Sequence, residues 1–388
     1  MKEKIFAALQ RAVEHGDIAG ANVLVLKDGM EQAYCEYGLR DMEHKEGMSR
    51  DTIFRMYSQT KPITAAAVML LVAQGKLDLS GWLGEYLPYF WDVNVIQDGT
   101  RVPAKTPIMV RDLMNMTSGI VYPDDTPCGI LCGKIFGELA DRLYGNNPMT
   151  TQEFAGKIAK AGLAFEPGEQ FRYGASADIL GALIEEISGM SFRDFLMENF
   201  FGPLGMKDTD FYVPQEKRSR LAKVYDYGEA GLVELRTDHL GLRYERDVVP
   251  AFQSGGAGLC STLDDYANFA RMLLNGGNFQ GKQILPQAAV RHLTHGGLNE
   301  RQKPYLYEGW VWMRGYTYGN LMRVCEDESQ TTLFAGKGEY GWDGWLGTFF
   351  SNEPKYGITL LFGVQQIGMG QAATLVRKIK NIVMGELA

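Results

Sequence analysis

The chain has 388 residues, 45% of them hydrophobic and 22% charged, a composition that can bury a large core and that excludes a disordered chain. A formal net charge of −8 without any Lys/Arg run excludes nucleic acid as the partner, because phosphate binding needs a concentrated positive face. No stretch reaches the roughly 18 uncharged apolar residues of a membrane span, so a membrane is not expected as a partner either.

Met1 to Leu9 reads as an amphipathic helix interrupted by charges, not as a basic segment with an apolar run and a cleavage site; the expectation is a cytoplasmic chain without an export signal. Ala21 to Lys27 and Glu31 to Tyr37 flank Asp28-Gly29, the signature of a β-hairpin. From about Ser58 to Gly75 the apolar content is nearly continuous and predicts a helix buried on all sides. The middle of the chain, to about residue 240, reads as helical pieces and long loops, including Thr151 to Ala161 and Ser176 to Ser188. Asp264 to Asn275 predicts a further helix stopped by Gly276-Gly277. In the last quarter Trp310 to Arg314, Leu321 to Val324, Thr332 to Ala335, Gly347 to Ser351 and Tyr356 to Val364 read as short β-rich runs, followed by a closing helix from about Gln371 to Gly385. Strands at both ends with helices between predict an α/β (α+β) chain: residues 1–60 and 240–388 form one sheet domain, into which a mainly helical domain, 61–239, is inserted.

Five cysteines, Cys35, Cys128, Cys132, Cys260 and Cys325, are an odd and scattered set that suits a reducing compartment better than a disulfide framework. Cys128 and Cys132 have no His or Cys close by to complete a metal site and read as ordinary thiols.

Ser58-Gln59-Thr60-Lys61 is an S-x-x-K sequence opening the most apolar helix, and its spacing puts both side chains on one face a turn apart. A serine hydroxyl is a poor nucleophile until a base takes its proton, and a lysine can do so only when its pKa is depressed. About one such match is expected by chance in a chain this long; here it is the single match, with Pro62 in the helix's first turn. The alternative is a capping serine beside a solvated lysine.

A second group must pass the proton to the leaving group, commonly a tyrosine. Tyr144-Gly145-Asn146 and Tyr318-Gly319-Asn320 match Y-x-N, whereas Tyr173-Gly174-Ala175 lacks the asparagine. Tyr173 is nevertheless preferred, because it follows the turn Glu166-Pro167-Gly168-Glu169 and precedes a helix that can hold it. Tyr144 and Tyr318 read as turn residues, the latter at a hairpin tip. An edge strand should then offer a backbone N–H to the oxyanion, and Tyr340 to Gly347 supplies a glycine-rich approach to a strand. His295-Gly296-Gly297 is a rival with no strand pattern after it, and a purely structural aromatic turn is the alternative for Trp342. Tyr122, Trp310, Trp312, Trp342 and Trp345 are candidates for an apolar cleft, against the plain alternative that they are core.

Taken together, these elements resemble the β-lactamase and penicillin-binding-protein superfamily over nearly the whole chain. Ser58 to Thr64 is similar to the nucleophile helix of its esterase-like branch, Leu113 to Gly119 to its loop facing the cleft, Pro167 through Tyr173 to Gly181 to its tyrosine segment, and Ser254 to Leu259 to a further typical stretch. The resemblance implies an antiparallel sheet from both chain ends flanked by helices, and an acyl-enzyme on Ser58. It further implies proton exchange through Lys61 and Tyr173, an oxyanion held by the N–H groups of Ser58 and Trp345, and a substrate lined by Trp342, Asp343 and Gly344. Which of Lys61 and Tyr173 is the base is left open. No metal or organic cofactor is implied. Ala175 stands where the family's lactamases have asparagine, and Trp342-Asp343-Gly344 stands where they have K-T-G. The W-x-G form is similar to the carboxylesterases, so a small-molecule ester or amide is expected ahead of a lactam. β-Lactamase or D-amino-acid peptidase activity and a non-catalytic binding relative are the alternatives. His15, His44, His239, His292 and His295 read as surface or packing residues, since no G-x-S-x-G elbow recruits one.

Overall fold

A computed structural model describes residues 1–388 apart from 98, 230, 368 and 369. The first helix, α1 (Lys2–Glu14), leads into the hairpin β1 (Gly20–Lys27) and β2 (Met30–Asp41), with β3 (Glu46–Gly47) beside it. The principal helices of the middle are α2 (Thr60–Ala73), α3 (Pro127–Asp141), α4 (Thr151–Ala161) and α5 (Ser176–Ser188), and α6 (Leu263–Leu274) returns the chain to the sheet. Five further strands of the main sheet come after it, β4 (Tyr316–Gly319), β5 (Met322–Cys325), β6 (Tyr340–Asp343), β7 (Phe349–Glu353) and β8 (Ile358–Gly363), and then α7 (Gly370–Leu387).

The strands form one eight-stranded sheet in the order β4-β5-β6-β7-β8-β1-β2-β3, with antiparallel pairing throughout. The last strand of the chain pairs with the first, Val23 opposite Phe362 and Leu24 opposite Leu361, so the two ends meet at the centre of the sheet. Period-two alternation sorts these residues onto two cores. Val23, Val25, Leu360 and Phe362 face α1 and α7, against Ile5, Leu9, Ile379 and Val383. Leu24, Leu26, Leu361 and Phe350 face the helices of the middle. α2 lies in that larger core with Ile63, Ala65, Ala66, Ala67, Val68 and Leu71 all inaccessible, and small side chains on every face let α5 pack directly against it.

Two expected strands are absent. Trp310 to Arg314 is instead a short helical turn, Val311–Met313, that continues the helix Lys303–Gly309. Thr332 to Ala335 lies in an excursion outside the sheet, because β5 pairs directly with β6, Arg323 opposite Gly341, and leaves no neighbour for it. Phe334 is exposed there, and its N–H donates to Asn381. Apolar periodicity over three to five residues does not distinguish these cases.

Candidate active site

The N-terminus of α2 is tied to the segment that precedes α6 by a short antiparallel bridge, Phe54–Arg55 against Cys260–Ser261. Met56 N–H donates to the carbonyl of Leu259 (2.9 Å), Thr60 Oγ1 accepts from Leu259 N–H (3.1 Å), and Thr64 Oγ1 donates to the carbonyl of Gly255 (2.7 Å). Tyr57, immediately before Ser58, is held in the left-handed region with φ 44°, a conformation that costs a non-glycine residue about 1–2 kcal/mol. Its ring is buried against Tyr244 and Trp345, which maintains the strain and turns Ser58 into the cleft.

Lys61 is completely buried, one helical turn on. Its Nζ lies 3.2 Å from Ser58 Oγ and 3.3 Å from the Tyr122 hydroxyl, and donates to the Gly256 carbonyl at 2.8 Å. Its partners are neutral. Burial therefore dominates and lowers the Lys61 pKa to about 7, against the opposing charge of Asp178. Asp178 is itself committed elsewhere: it accepts from Ser254 Oγ and from Gly256 N–H (3.1 Å), which aims the Gly256 carbonyl at the lysine.

The structure brings Tyr173 to this pair. Lys61 Nζ stands 4.5 Å from the centre of the Tyr173 ring. The indole N–H of Trp342 donates to the Tyr173 hydroxyl at 2.9 Å. An indole N–H can only donate, so the phenolic oxygen accepts there and its own proton is free for another partner. Burial pushes the Tyr173 pKa up, while Ser58 and Trp342 act in the other direction. The segment needs glycine at 174, since a Cβ would lie 2.2 Å from the carbonyl oxygen of Ile120. Tyr144 is 63% exposed and donates its hydroxyl to Asp238 (2.8 Å), as a turn residue can. Tyr318 is not at a hairpin tip: it is buried inside β4, the tip being Asn320-Leu321, and its ring packs 4.9 Å from that of Trp342.

β6 runs its end across the nucleophile. A Cβ at Gly344 would meet Met56 O at 2.5 Å and Thr348 Oγ1 at 2.1 Å, so only glycine permits the crossing. Gly344 N–H donates to Thr348 O (2.8 Å) and Gly347 N–H to Gly344 O (2.9 Å), closing a turn with Trp345 inside it. The backbone N–H groups of Ser58 and Trp345 have no acceptor among the described residues. Trp345, half-buried, lines the cleft. Trp342 is buried and supports Tyr173. Asp343 departs from expectation: strand alternation turns it away from Trp342 and onto the other face, where it pairs with Arg323 (2.7 Å).

The cleft is a cavity of about 430 Å³ lined by Tyr57, Ser58, Tyr122, Tyr173, His239 and Trp345 among others, and no lysine or arginine stands among the described lining residues. His239 is half-buried and stacks on Trp345 at 3.9 Å. It does pack, but it also faces the cleft. Sequence reasoning thus missed a cleft-facing role for His239, and it missed Tyr122 and the Gly256 carbonyl as partners of Lys61. The signals were Tyr122's place among the candidate cleft aromatics and the Ser254-Gly255-Gly256 stretch, whose role no local pattern reveals. All five cysteines are unpaired and buried, and the thiols of Cys128 and Cys132 donate to the carbonyls of Gly162 and Val121. Among the described residues no cluster of three metal-ligating side chains occurs, and no helix is long and apolar enough to cross a membrane.

Comparison with known proteins finds relatives of the whole chain. Residues 5–376 match the Beta-lactamase family. An uncharacterized protein of Mycobacterium tuberculosis is 31% identical over 368 residues, covering 92% of this chain and 88% of that protein. Esterase EstB of Burkholderia gladioli is 26% identical over 397 residues, 98% of this chain and 94% of the esterase. Among solved structures, EstCE1, a hydrolase with promiscuous acyltransferase activity, superposes with a TM-score of 0.82 at 26% identity, covering 99% of this chain and 98% of that one.

Proposed function

We propose that this chain, which belongs to the beta-lactamase family, is a serine hydrolase that cleaves a small carboxylic ester through an acyl-enzyme on Ser58. The observation that carries the reading is the fully buried Lys61 amine, 3.2 Å from Ser58 Oγ, with its pKa lowered to about 7. At neutral pH a substantial fraction of that amine is unprotonated, which is what a base needs, whereas burial keeps Tyr173 protonated. Lys61 is therefore the base and Tyr173 the relay.

Ser58 Oγ bonds to the ester carbonyl carbon as Lys61 takes its proton. The carbonyl oxygen becomes an oxyanion facing the free N–H groups of Ser58 and Trp345. The carbon–oxygen bond to the alcohol breaks, and the proton passes from Lys61 through the Tyr173 hydroxyl to the departing alkoxide. Water then attacks the acyl carbon by the same route in reverse, releasing the acid and restoring Ser58.

An ester is favoured over a carboxylate-bearing lactam by the cleft wall, which has no described cation to receive a carboxylate and places the buried Trp342 indole where a lysine would be needed. The likeness to an esterase over 98% of the chain supports the same choice. Five unpaired cysteines support a cytoplasmic setting, where thiols persist.

The test is intact-mass spectrometry of the wild type and Ser58→Ala after exposure to a fluorophosphonate, a p-nitrophenyl ester and a β-lactam. The expected result is a Ser58-dependent adduct with ester turnover and little lactam turnover. Rapid lactam turnover overturns the ester assignment, and no adduct with any probe overturns the catalytic one.

A further inference from the structure

The aromatic side chains of the cleft fall into two groups. Tyr173 packs with Tyr122, Trp310 and Trp342. Trp345 packs with Tyr57 and His239. Ser58 shares the cleft with both groups; the departing alcohol meets Tyr173 in the reaction above, which leaves the Trp345 and His239 wall free for the acyl chain.

His239 is built into that wall with care. Its ring lies on the Trp345 indole, 3.9 Å between centroids and 21° from parallel. Its backbone N–H donates to Thr237 Oγ1 at 3.1 Å, and the preceding Asp238 accepts from the Tyr144 hydroxyl at 2.8 Å. Leu240, the next residue, is held left-handed at φ 58° and ψ 25°, a conformation that is costly for leucine and persists only where the surroundings impose it. Stacking, anchoring and strain thus fix one orientation of the imidazole. Yet neither ring nitrogen bonds to any described residue, although both belong to a ring that shares the cleft with Ser58. Burial lowers the His239 pKa, so at neutral pH the ring is uncharged and offers one N–H donor and one acceptor nitrogen.

We propose that His239 is a specificity-determining residue that hydrogen-bonds a hydroxyl group on the acyl chain, so that the preferred substrates are esters of hydroxy acids. This rests on the ester reading above. A neutral imidazole held in a largely apolar cleft discriminates by what it loses: an acyl chain without a polar group leaves its nitrogens covered and unpaired.

The experiment compares ethyl 3-hydroxybutyrate with ethyl butyrate in a pH-stat assay of wild type, His239→Phe and His239→Gln. Phenylalanine keeps the stacking surface and removes the hydrogen bond; glutamine keeps a donor and an acceptor. The expected result is a wild-type kcat/KM ratio favouring the hydroxy ester, a fall in that ratio of about tenfold in His239→Phe, and partial recovery in His239→Gln. Turnover of both esters with the same ratio in wild type and His239→Phe overturns the assignment of His239 alone. A wild type that hydrolyses neither ester but turns over the p-nitrophenyl ester overturns this proposal alone; one that turns over none of the three overturns the ester reading and this proposal with it.

Discussion

Two lysines are buried on opposite faces of the same sheet, and they are buried among different partners. Lys61, on the α2 side, is surrounded by two hydroxyls and a carbonyl. Lys380, on α7, lies 3.0 Å from Glu339 and 3.1 Å from Glu353, with Arg323 bridging Glu339 (3.1 Å) and Asp343 (2.7 Å). Glu339 is held down at about 2 by Arg323 and Lys380, although burial alone would raise it. Removal from water is common to both lysines and so does not select between them. The partner decides: with neutral acceptors in direct contact, burial outweighs the more distant charge of Asp178 and makes an amine that can lose its proton, while carboxylates in direct contact hold a charge network together.

The largest effect expected from this comparison is on Lys61. Lys61→Ala and Lys61→Arg should each lower kcat/KM for the ester by about 10⁴-fold, since alanine has no base and arginine does not release its proton. An arginine variant with near wild-type activity would mean that Lys61 acts as a charge, and the contrast with Lys380 would fail.

The counterpart change, Lys380→Met, leaves Glu339 and Glu353 buried without their shared cation. Urea denaturation should show a loss of about 3–5 kcal/mol of stability, the range for breaking a buried ion pair from one side. A loss below about 1 kcal/mol would show that Arg323 alone satisfies the cluster.

Tyr173→Phe should cost about 10²- to 10³-fold in kcat/KM, the range for a proton-transfer group. Tyr318→Phe, which alters a buried hydroxyl with no partner among the described residues, should stay within about threefold. Equal losses in the two variants would mean that the aromatic packing around Trp342, and not the Tyr173 hydroxyl, is what matters.

The pH profile of the wild type tests the same lysine without a substitution. Lys61 must be unprotonated to act, so kcat/KM should rise about tenfold per pH unit below about pH 7 and level above it. A profile falling through that range would require the charged amine and would reverse the assignment of the base.

Several of these features were legible along the chain. The hairpin about Asp28-Gly29, the buried helix opened by Ser58 and Lys61, and the helices Thr151 to Ala161 and Ser176 to Ser188 follow from periodicity, turn residues and spacing, which act over a few residues. Tyr173 could be preferred to Tyr144 from its flanking turn and helix. The same local reasoning failed at Trp310 to Arg314 and Thr332 to Ala335, because a strand exists only where a neighbour pairs with it. It failed at Asp343 for a related reason: adjacent strand residues face opposite sides, and only the register shows which side is the cleft.

By itself the sequence determined the chemistry that neighbours in the chain can build: a serine and a lysine one turn apart on a helix apolar enough to be buried, and strands at both ends for a sheet to collect. Tertiary structure decided what those groups meet. The meeting of β1 with β8, the crossing of Gly344 over Met56, and the placement of the Gly256 carbonyl, Tyr122 and His239 each join residues far apart in the chain, where hydrogen bonding and close packing act through space and leave no spacing to read.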